Sequence, residues 1–187
     1  QAGFKAEQDS VCFLHEKGLL FCALESEKSD DIRSATVNMI KALKSSNYES
    51  ASISIFKNSS LSAMVEGVIL GGYEFNEYKS QPKETTLKEI FFASNELDYQ
   101  ELKTTFDDAL IIANATCYTR DIVNKAPQEL NPETFAILAK KLADTNSLEC
   151  DILAEDELKL QKMNAMLAVG RASIHQSQLI HLAYKPA

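Results

Sequence analysis

The sequence predicts an α/β protein, because stretches with strand and helix periodicity alternate along its 187 residues with short connections between them. The composition is typical of a folded, soluble protein, with 45% hydrophobic and 25% charged residues. A chain of this length forms one large domain, or one domain and part of another. We expect a small N-terminal mixed sheet covered by helices, a long connecting helix, and an incomplete second α/β domain.

The first predicted elements are a hairpin and a helix. Residues 11–15 and 19–23 are short apolar runs on either side of a turn at residues 16–18, a pattern typical of two antiparallel strands. Apolar residues then recur at helical spacing over residues 29–45, behind an acidic first turn.

Two further strands and two helices complete the predicted N-terminal part. Residues 51–56 alternate with period two, and residues 61–73 return to helical spacing. A polar loop then leads to a buried strand at residues 87–93. Residues 98–124 carry the longest helical pattern of the chain.

A second α/β segment follows a break at Pro127. Asn131, Pro132 and Glu133 provide a side-chain cap, a first-turn proline and an acid at the positive end of a new helix. The predicted buried face of this helix consists of Phe135, Leu138, Ala139 and Leu142. The remaining predicted elements are a strand at 148–153, a short helix at 155–162 and an apolar strand at 178–184. That last strand needs neighbours on both sides, so we expect the architecture to be interrupted after it.

Charge argues against a nucleic-acid partner. The formal net charge is −8, and nucleic-acid binding would require a local basic patch, which the sequence does not reveal. The densest lysines, at positions 140, 141, 159 and 162, have acids beside them and are interpreted as solvated helix faces.

Cysteine usage and hydropathy predict a cytoplasmic protein. Four cysteines lie far apart with no C-x-x-C spacing, which favours reduced, buried thiols over a disulfide framework; they are Cys12, Cys22, Cys117 and Cys150. No apolar run reaches the roughly 18 residues of a membrane span. The chain starts at Gln1 without a signal-peptide pattern or an initiator methionine, so we expect that its start has been removed.

The residues alone predict no catalytic, metal-binding or substrate-binding site. The acids at 30–31, 107–108 and 155–157 are immediate neighbours, which on a helix point in different directions. His15 lies at a turn, His175 in a polar loop, and His181 on an apolar strand, where a structural histidine is expected. The glycine pair at 71–72 is interpreted as a helix end, and residues 169–173 as a tight connection between a helix and a strand.

Several stretches of the sequence resemble those of a known protein family, and this resemblance predicts more about function than the individual residues do. Residues 120–136, with the sequence RDIVNKAPQELNPETFA, closely resemble the segment that opens the catalytic domain of M17 leucyl aminopeptidases. Matches in the family's order follow at Glu157-Leu158, Met163, Ala168-Val169-Gly170, Ser173, Leu179-Ile180 and Tyr184-Lys185-Pro186. Upstream matches are Val65-Glu66-Gly67, Tyr73-Glu74-Phe75 and Tyr78-Lys79-Ser80. Departures are Ala172, where the family usually has glycine, and Ser177, where it usually has proline.

The resemblance implies three parts: an N-terminal α/β domain at 1–97, a connecting helix at 98–124 and the beginning of the catalytic domain at 125–187. It implies a full-length enzyme that binds two divalent metal ions, zinc or manganese, hydrolyses peptides at their N-terminus and assembles as a homo-hexamer. The family's metal-binding and catalytic residues follow the position of Tyr184-Lys185-Pro186. The resemblance therefore predicts no metal ligand and no catalytic residue in this chain, which would serve assembly and support.

An alternative of a different class is a non-catalytic binding or regulatory module. The N-terminal domain of the family is similar in fold to nucleotide-binding macro domains, and some bacterial members act in DNA transactions. The acidic balance of the chain disfavours DNA.

Overall fold

A computed structural model describes residue 7 and residues 10–82, 84–94 and 98–186. The chain divides into two compact units, Gln1–Asp121 and Ile122–Ala187. The predicted end of the N-terminal domain at residue 97 lies outside the described residues. The α/β class predicted from the sequence is confirmed, since helices and short strands make up both units.

In the first unit, strands β1 (Val11–Leu14) and β2 (Leu19–Cys22) form the predicted antiparallel hairpin. A short 3₁₀ turn joins them and ends at Gly18, whose φ of 60° is a left-handed conformation that favours glycine. Helix α1 (Ser29–Lys44) follows, then β3 (Ser50–Ser54), α2 (Leu61–Gly72), β4 (Glu89–Ala93) and α3 (Tyr99–Asn124), whose last turn enters the second unit. Strands β3 and β4 pair in parallel, so the described pairings of this unit are of both kinds.

The core of the first unit lies on one face of the β3–β4 pair. Ile53 packs there with buried side chains of α1 and α2, and Ile55 packs with Ala109 of α3. Phe92 of β4 joins both clusters and meets Phe106 edge-on, with ring centroids 5.9 Å apart. The opposite face carries Phe91, which is 54% exposed, so β4 alternates between the two faces and is not the buried strand that was predicted.

Helices α1 and α2 pack closely because α2 presents glycines to α1. A β-carbon at Gly67 would lie 2.6 Å from Cβ of Thr36 and 2.8 Å from the carbonyl oxygen of Arg33. One turn later, a β-carbon at Gly71 would lie 3.0 Å from Cα of Val37. Gly71 is therefore a helix-contact residue within the last turn of α2, which agrees with the predicted helix end.

In the second unit, helix α4 (Pro132–Asn146) packs on the antiparallel strands β5 (Glu149–Leu153) and β6 (Leu179–Ala183). The predicted cap is present: the Asn131 side chain accepts hydrogen bonds from the backbone N–H groups of Glu133 and Thr134. The buried positions of α4 are Ala136, Ala139 and Ala143.

One prediction for this unit was wrong. Phe135, expected in the core, is 41% exposed, because the buried stripe of α4 passes through its alanines. Helix α5 (Glu155–Leu160) is followed by α6 (Asn164–Gly170), and the connection expected at residues 169–173 begins in the last turn of α6 and leads towards β6. A β-carbon at Gly170 would collide with Oγ of Ser177, so the backbone of Gly170 lies close to the Ser177 side chain.

Among the described residues, no helix combines the length and the apolar character that crossing a bilayer requires.

Candidate functional site

Most of the acidic side chains weighed as metal ligands have other partners. Asp30 pairs with Arg33, and Asp31 accepts a hydrogen bond from Ser26. The other partners are lysines: Lys103 with Asp107 at 2.8 Å, and Lys159 with Glu155 and Asp156 at 3.0 and 3.3 Å. These carboxylates raise the pKa of both lysines. Within the described ranges, no group of three or more His, Cys, Asp or Glu side chains converges as a metal site would require.

The three histidines lie apart in the fold. His15 sits in the hairpin turn and stacks on Phe13 with ring centroids 4.9 Å apart, while His175 lies in the loop before β6. His181, expected to be a satisfied structural histidine, has 66% of its side chain exposed. Its Nδ1 lies 3.6 Å from Oδ2 of Asp151, its cross-strand partner on β5. It was misjudged because β6 has its apolar residues on both faces and leaves this position open to solvent.

The four cysteines keep their thiols and form no disulfide with one another, as predicted, but none is fully buried. Burial raises the pKa of the Cys117 thiol; Arg120 opposes this shift and Asp121 adds to it.

The second unit exposes large apolar side chains. Leu160, Val169 and Ile174 are 82%, 88% and 94% exposed. On β6, which pairs only with β5 among the described strands, Leu182 is 38% exposed. We refer to these exposed side chains, Leu160, Val169, Ile174 and Leu182, as the apolar surface of the second unit.

The first unit contains a polar groove of about 540 Å³ between α1, α2 and the end of α3. Its lining consists of Arg33, Ser34, Val37, Asn38, Lys41, Leu70 and Arg120, and we call it the basic groove. The sequence alone did not reveal this grouping of basic side chains. Three cations separated in sequence by up to 87 positions, from Arg33 to Arg120, line one cavity.

Two family profiles match this chain at different positions. The profile described as "Cytosol aminopeptidase family, N-terminal domain" matches residues 23–82, and the profile described as "Cytosol aminopeptidase family, catalytic domain" matches residues 117–187. The chain belongs to the cytosol aminopeptidase (M17) family. The resemblance drawn from residues 120–136 is confirmed.

Individual relatives agree. A probable cytosol aminopeptidase of Wolinella succinogenes is 34% identical over 98% of this chain and 40% of its own length. The solved structure of the bottromycin maturation enzyme BotP in complex with Mn superposes with a TM-score of 0.81 at 26% identity, over 98% of this chain and 41% of that one. The solved structure of a tomato leucine aminopeptidase mutant superposes with a TM-score of 0.76 at 25% identity, over 84% of this chain and 34% of that one. The chain thus spans about 40% of the length of the Wolinella succinogenes relative.

Proposed function

We propose that this chain is the N-terminal portion of a two-metal leucyl aminopeptidase that releases N-terminal amino acids from peptides. The observation that carries the proposal is the order of the two family matches, N-terminal domain first and catalytic domain second, within one chain. The fold similarity to a leucine aminopeptidase supports this reaction class, and the manganese bound to the similar maturation enzyme supports a metal-dependent protein.

The proposed division of labour follows the three predicted parts. Residues 1–97 form an N-terminal domain and residues 98–124 a connecting helix. Residues 125–187 begin the catalytic domain. In this proposal the full-length enzyme is a cytoplasmic homo-hexamer that acts on peptides. The present chain contributes to the fold and to the assembly of that enzyme. The exposed apolar surface of the second unit favours a role in assembly, because exposed apolar patches often mark contact sites.

The described residues do not fit a two-metal site. Two ions roughly 3.5–4 Å apart need several converging carboxylates or other donors. Among the described residues no group of three or more His, Cys, Asp or Glu side chains converges in this way, and Asp30, Asp107 and Glu155 pair with cations on their own helices. Zinc or manganese would polarise the scissile carbonyl and activate water in the full-length enzyme. We assign no catalytic step to this chain, and propose that the metal-binding and catalytic residues belong to a region that follows residue 187.

Two proteins test the proposal: this chain, and the product of the gene read past the codon for Ala187. Both are washed with chelator, reloaded with zinc or manganese, and assayed by elemental analysis and by hydrolysis of a leucyl anilide. We expect two metals per chain and turnover only in the longer protein. Two tightly held metals in the 187-residue chain, with turnover abolished by chelation, would contradict the proposed location of the site. A longer protein without peptidase activity would contradict the proposed enzyme.

A further inference from the structure

The basic groove presents cations and hydroxyl or amide groups on one wall. Ser34, Asn38 and Lys41 follow each other on α1 at spacings of four and three residues, which places them on one helix face. Arg120 of α3 also lines the groove and adds a second positive charge beside Lys41. Val37 and Leu70 add apolar surface beside these polar groups. The groove therefore offers both hydrogen-bond donors and a surface on which an organic group can pack.

Two of the three cations keep their charge available. Arg33 is compensated, because its Nε donates to Oε2 of Glu66 at 2.7 Å and its Nη1 pairs with Asp30. Burial lowers the pKa of Arg33, but these carboxylates outweigh that effect and raise it overall. Within the described part of the chain, neither Lys41 nor Arg120 forms an ion pair with a carboxylate. No acidic side chain lines the groove.

The orientation of Arg120 is fixed by its neighbours. Its guanidinium carbon lies 5.5 Å from the ring centroid of Tyr73, over the face of the ring. The hydroxyl of Tyr73 donates a hydrogen bond of 2.8 Å to Oδ1 of Asp121, so the ring itself is anchored. Stacking occupies the face of a guanidinium and leaves its in-plane N–H groups free to donate. Arg120 is thus prepared to bind a planar or tetrahedral oxyanion.

We propose that the basic groove is a binding site for a phosphate-bearing small molecule. A phosphate group offers several strong acceptor oxygens, enough to engage the fork of Arg120 and the ammonium of Lys41 together. The cavity, about 540 Å³, falls within the range of about 300–1,000 Å³ that is typical of small-ligand sites. A nucleic acid fits the observations less well, because the first unit carries 19 acidic against 12 basic residues and would repel an extended phosphate backbone.

Titration of the ¹⁵N-labelled 187-residue chain with inorganic pyrophosphate and with adenosine diphosphate at low salt tests the proposal. We expect saturable amide shifts centred on Ser34, Asn38 and Lys41. Tighter binding of the nucleotide would identify the organic group as part of the ligand, and equal binding would assign recognition to the phosphates. Lys41→Gln and Arg120→Gln should each weaken binding by about tenfold, since each removes a charge-assisted hydrogen bond.

Lys17→Gln is the matched control, because it removes the same charge from an exposed hairpin position outside the groove. It should leave the affinity unchanged. Lys41→Gln keeps the test valid even if Arg120→Gln perturbs the fold. The proposal is overturned if pyrophosphate gives no saturable shifts, if Lys41→Gln binds as tightly as the unmodified chain, or if a 20-base-pair DNA duplex binds while pyrophosphate does not. These outcomes are independent of peptidase activity in the longer protein.

Discussion

The guanidinium of Arg120 lies over the ring of Tyr73, and the hydroxyl of the same tyrosine donates to Asp121. Arg120 and Asp121, near the end of α3, thus both contact Tyr73, the residue that directly follows α2. Both residues belong to the stretch of 120–136 on which the family resemblance rests. Part of that sequence signature therefore has a structural role within the first unit, apart from any chemistry.

Removing the Tyr73 hydroxyl should destabilise the first unit. Tyr73→Phe keeps the ring beneath Arg120 but leaves Asp121 without this donor, and a hydrogen bond to a charged group contributes about 1.5–3 kcal/mol. Urea unfolding should show a lower free energy of unfolding by that amount. Tyr99→Phe is the control, because Tyr99 is 70% exposed. Equal stability of Tyr73→Phe and Tyr99→Phe would refute the anchoring role.

Adding one methyl group at the contact between α1 and α2 should lower the stability of the first unit. Gly67→Ala places a β-carbon 2.6 Å from Cβ of Thr36, and overpacking of this kind costs about 1–3 kcal/mol. Gly72→Ala, in the same helix, meets nothing within 4 Å and should be neutral or gain up to about 1 kcal/mol from helix propensity. Thermal unfolding of the pair measures the difference. If both variants melt alike, the close helix contact is not present in solution.

Local signals predicted most elements of this fold. The turn at residues 16–18, the acid-led start of α1 and the cap at Asn131 each depend on residues within one helical turn or one hairpin, so the sequence contains the whole signal. Helix α6 was missed because its seven residues show no apolar periodicity and none of them is buried. The exposure of Phe91 was missed because a continuous apolar run does not reveal which face of a strand is covered.

The basic groove could not be predicted, because its cations come from two helices distant in the chain. Arg33 and Lys41 alternate with acids and apolar residues in α1, so neither stands in a charge run. Only the packing of α1, α2 and α3 places Lys41 and Arg120 around one cavity. The family assignment was accessible from sequence because it depends on the order of residues along the chain rather than on their placement in space.

Acid should selectively weaken the link between Lys44 and Glu74. Hydrogen bonds from Lys44 and Asn76 lower the pKa of Glu74 below its ordinary value of 4.5. The stabilisation from the Lys44–Glu74 interaction is therefore complete above pH 4.5, and it is lost as the pH falls through the lower pKa that Glu74 has in the folded state. Glu74 is partly exposed, so we expect at most about 1 kcal/mol at neutral pH.

The measurement is the stability of Glu74→Gln relative to the unmodified chain as a function of pH. The difference should be constant near neutrality and shrink below about pH 4.5. Glu16→Gln, at the exposed hairpin turn, corrects for the loss of one surface charge. A difference that does not change between neutral and acidic pH would exclude this ionic contribution.

The apolar surface of the second unit should make the 187-residue chain self-associate. Leu160, Val169 and Ile174 are each more than 80% exposed, and burying such a side chain at a contact yields about 1.5–3 kcal/mol. Sedimentation should show an average mass that rises with concentration. Replacing Leu160 and Val169 together by glutamine should weaken self-association by at least about tenfold, because a tenfold change corresponds to only about 1.4 kcal/mol.

The matched control exchanges two exposed polar residues, Asn164→Gln with Gln176→Asn, and changes no apolar area. It should associate like the unmodified chain. Hydrogen exchange provides a second measurement. Amides of residues 178–184 should exchange faster than those of β3, because Leu182 on β6 is exposed, whereas Ile53 on β3 is buried in a cluster. A strictly monomeric chain whose amides at 178–184 are as protected as those of β3 would show that the second unit is already closed by its own residues.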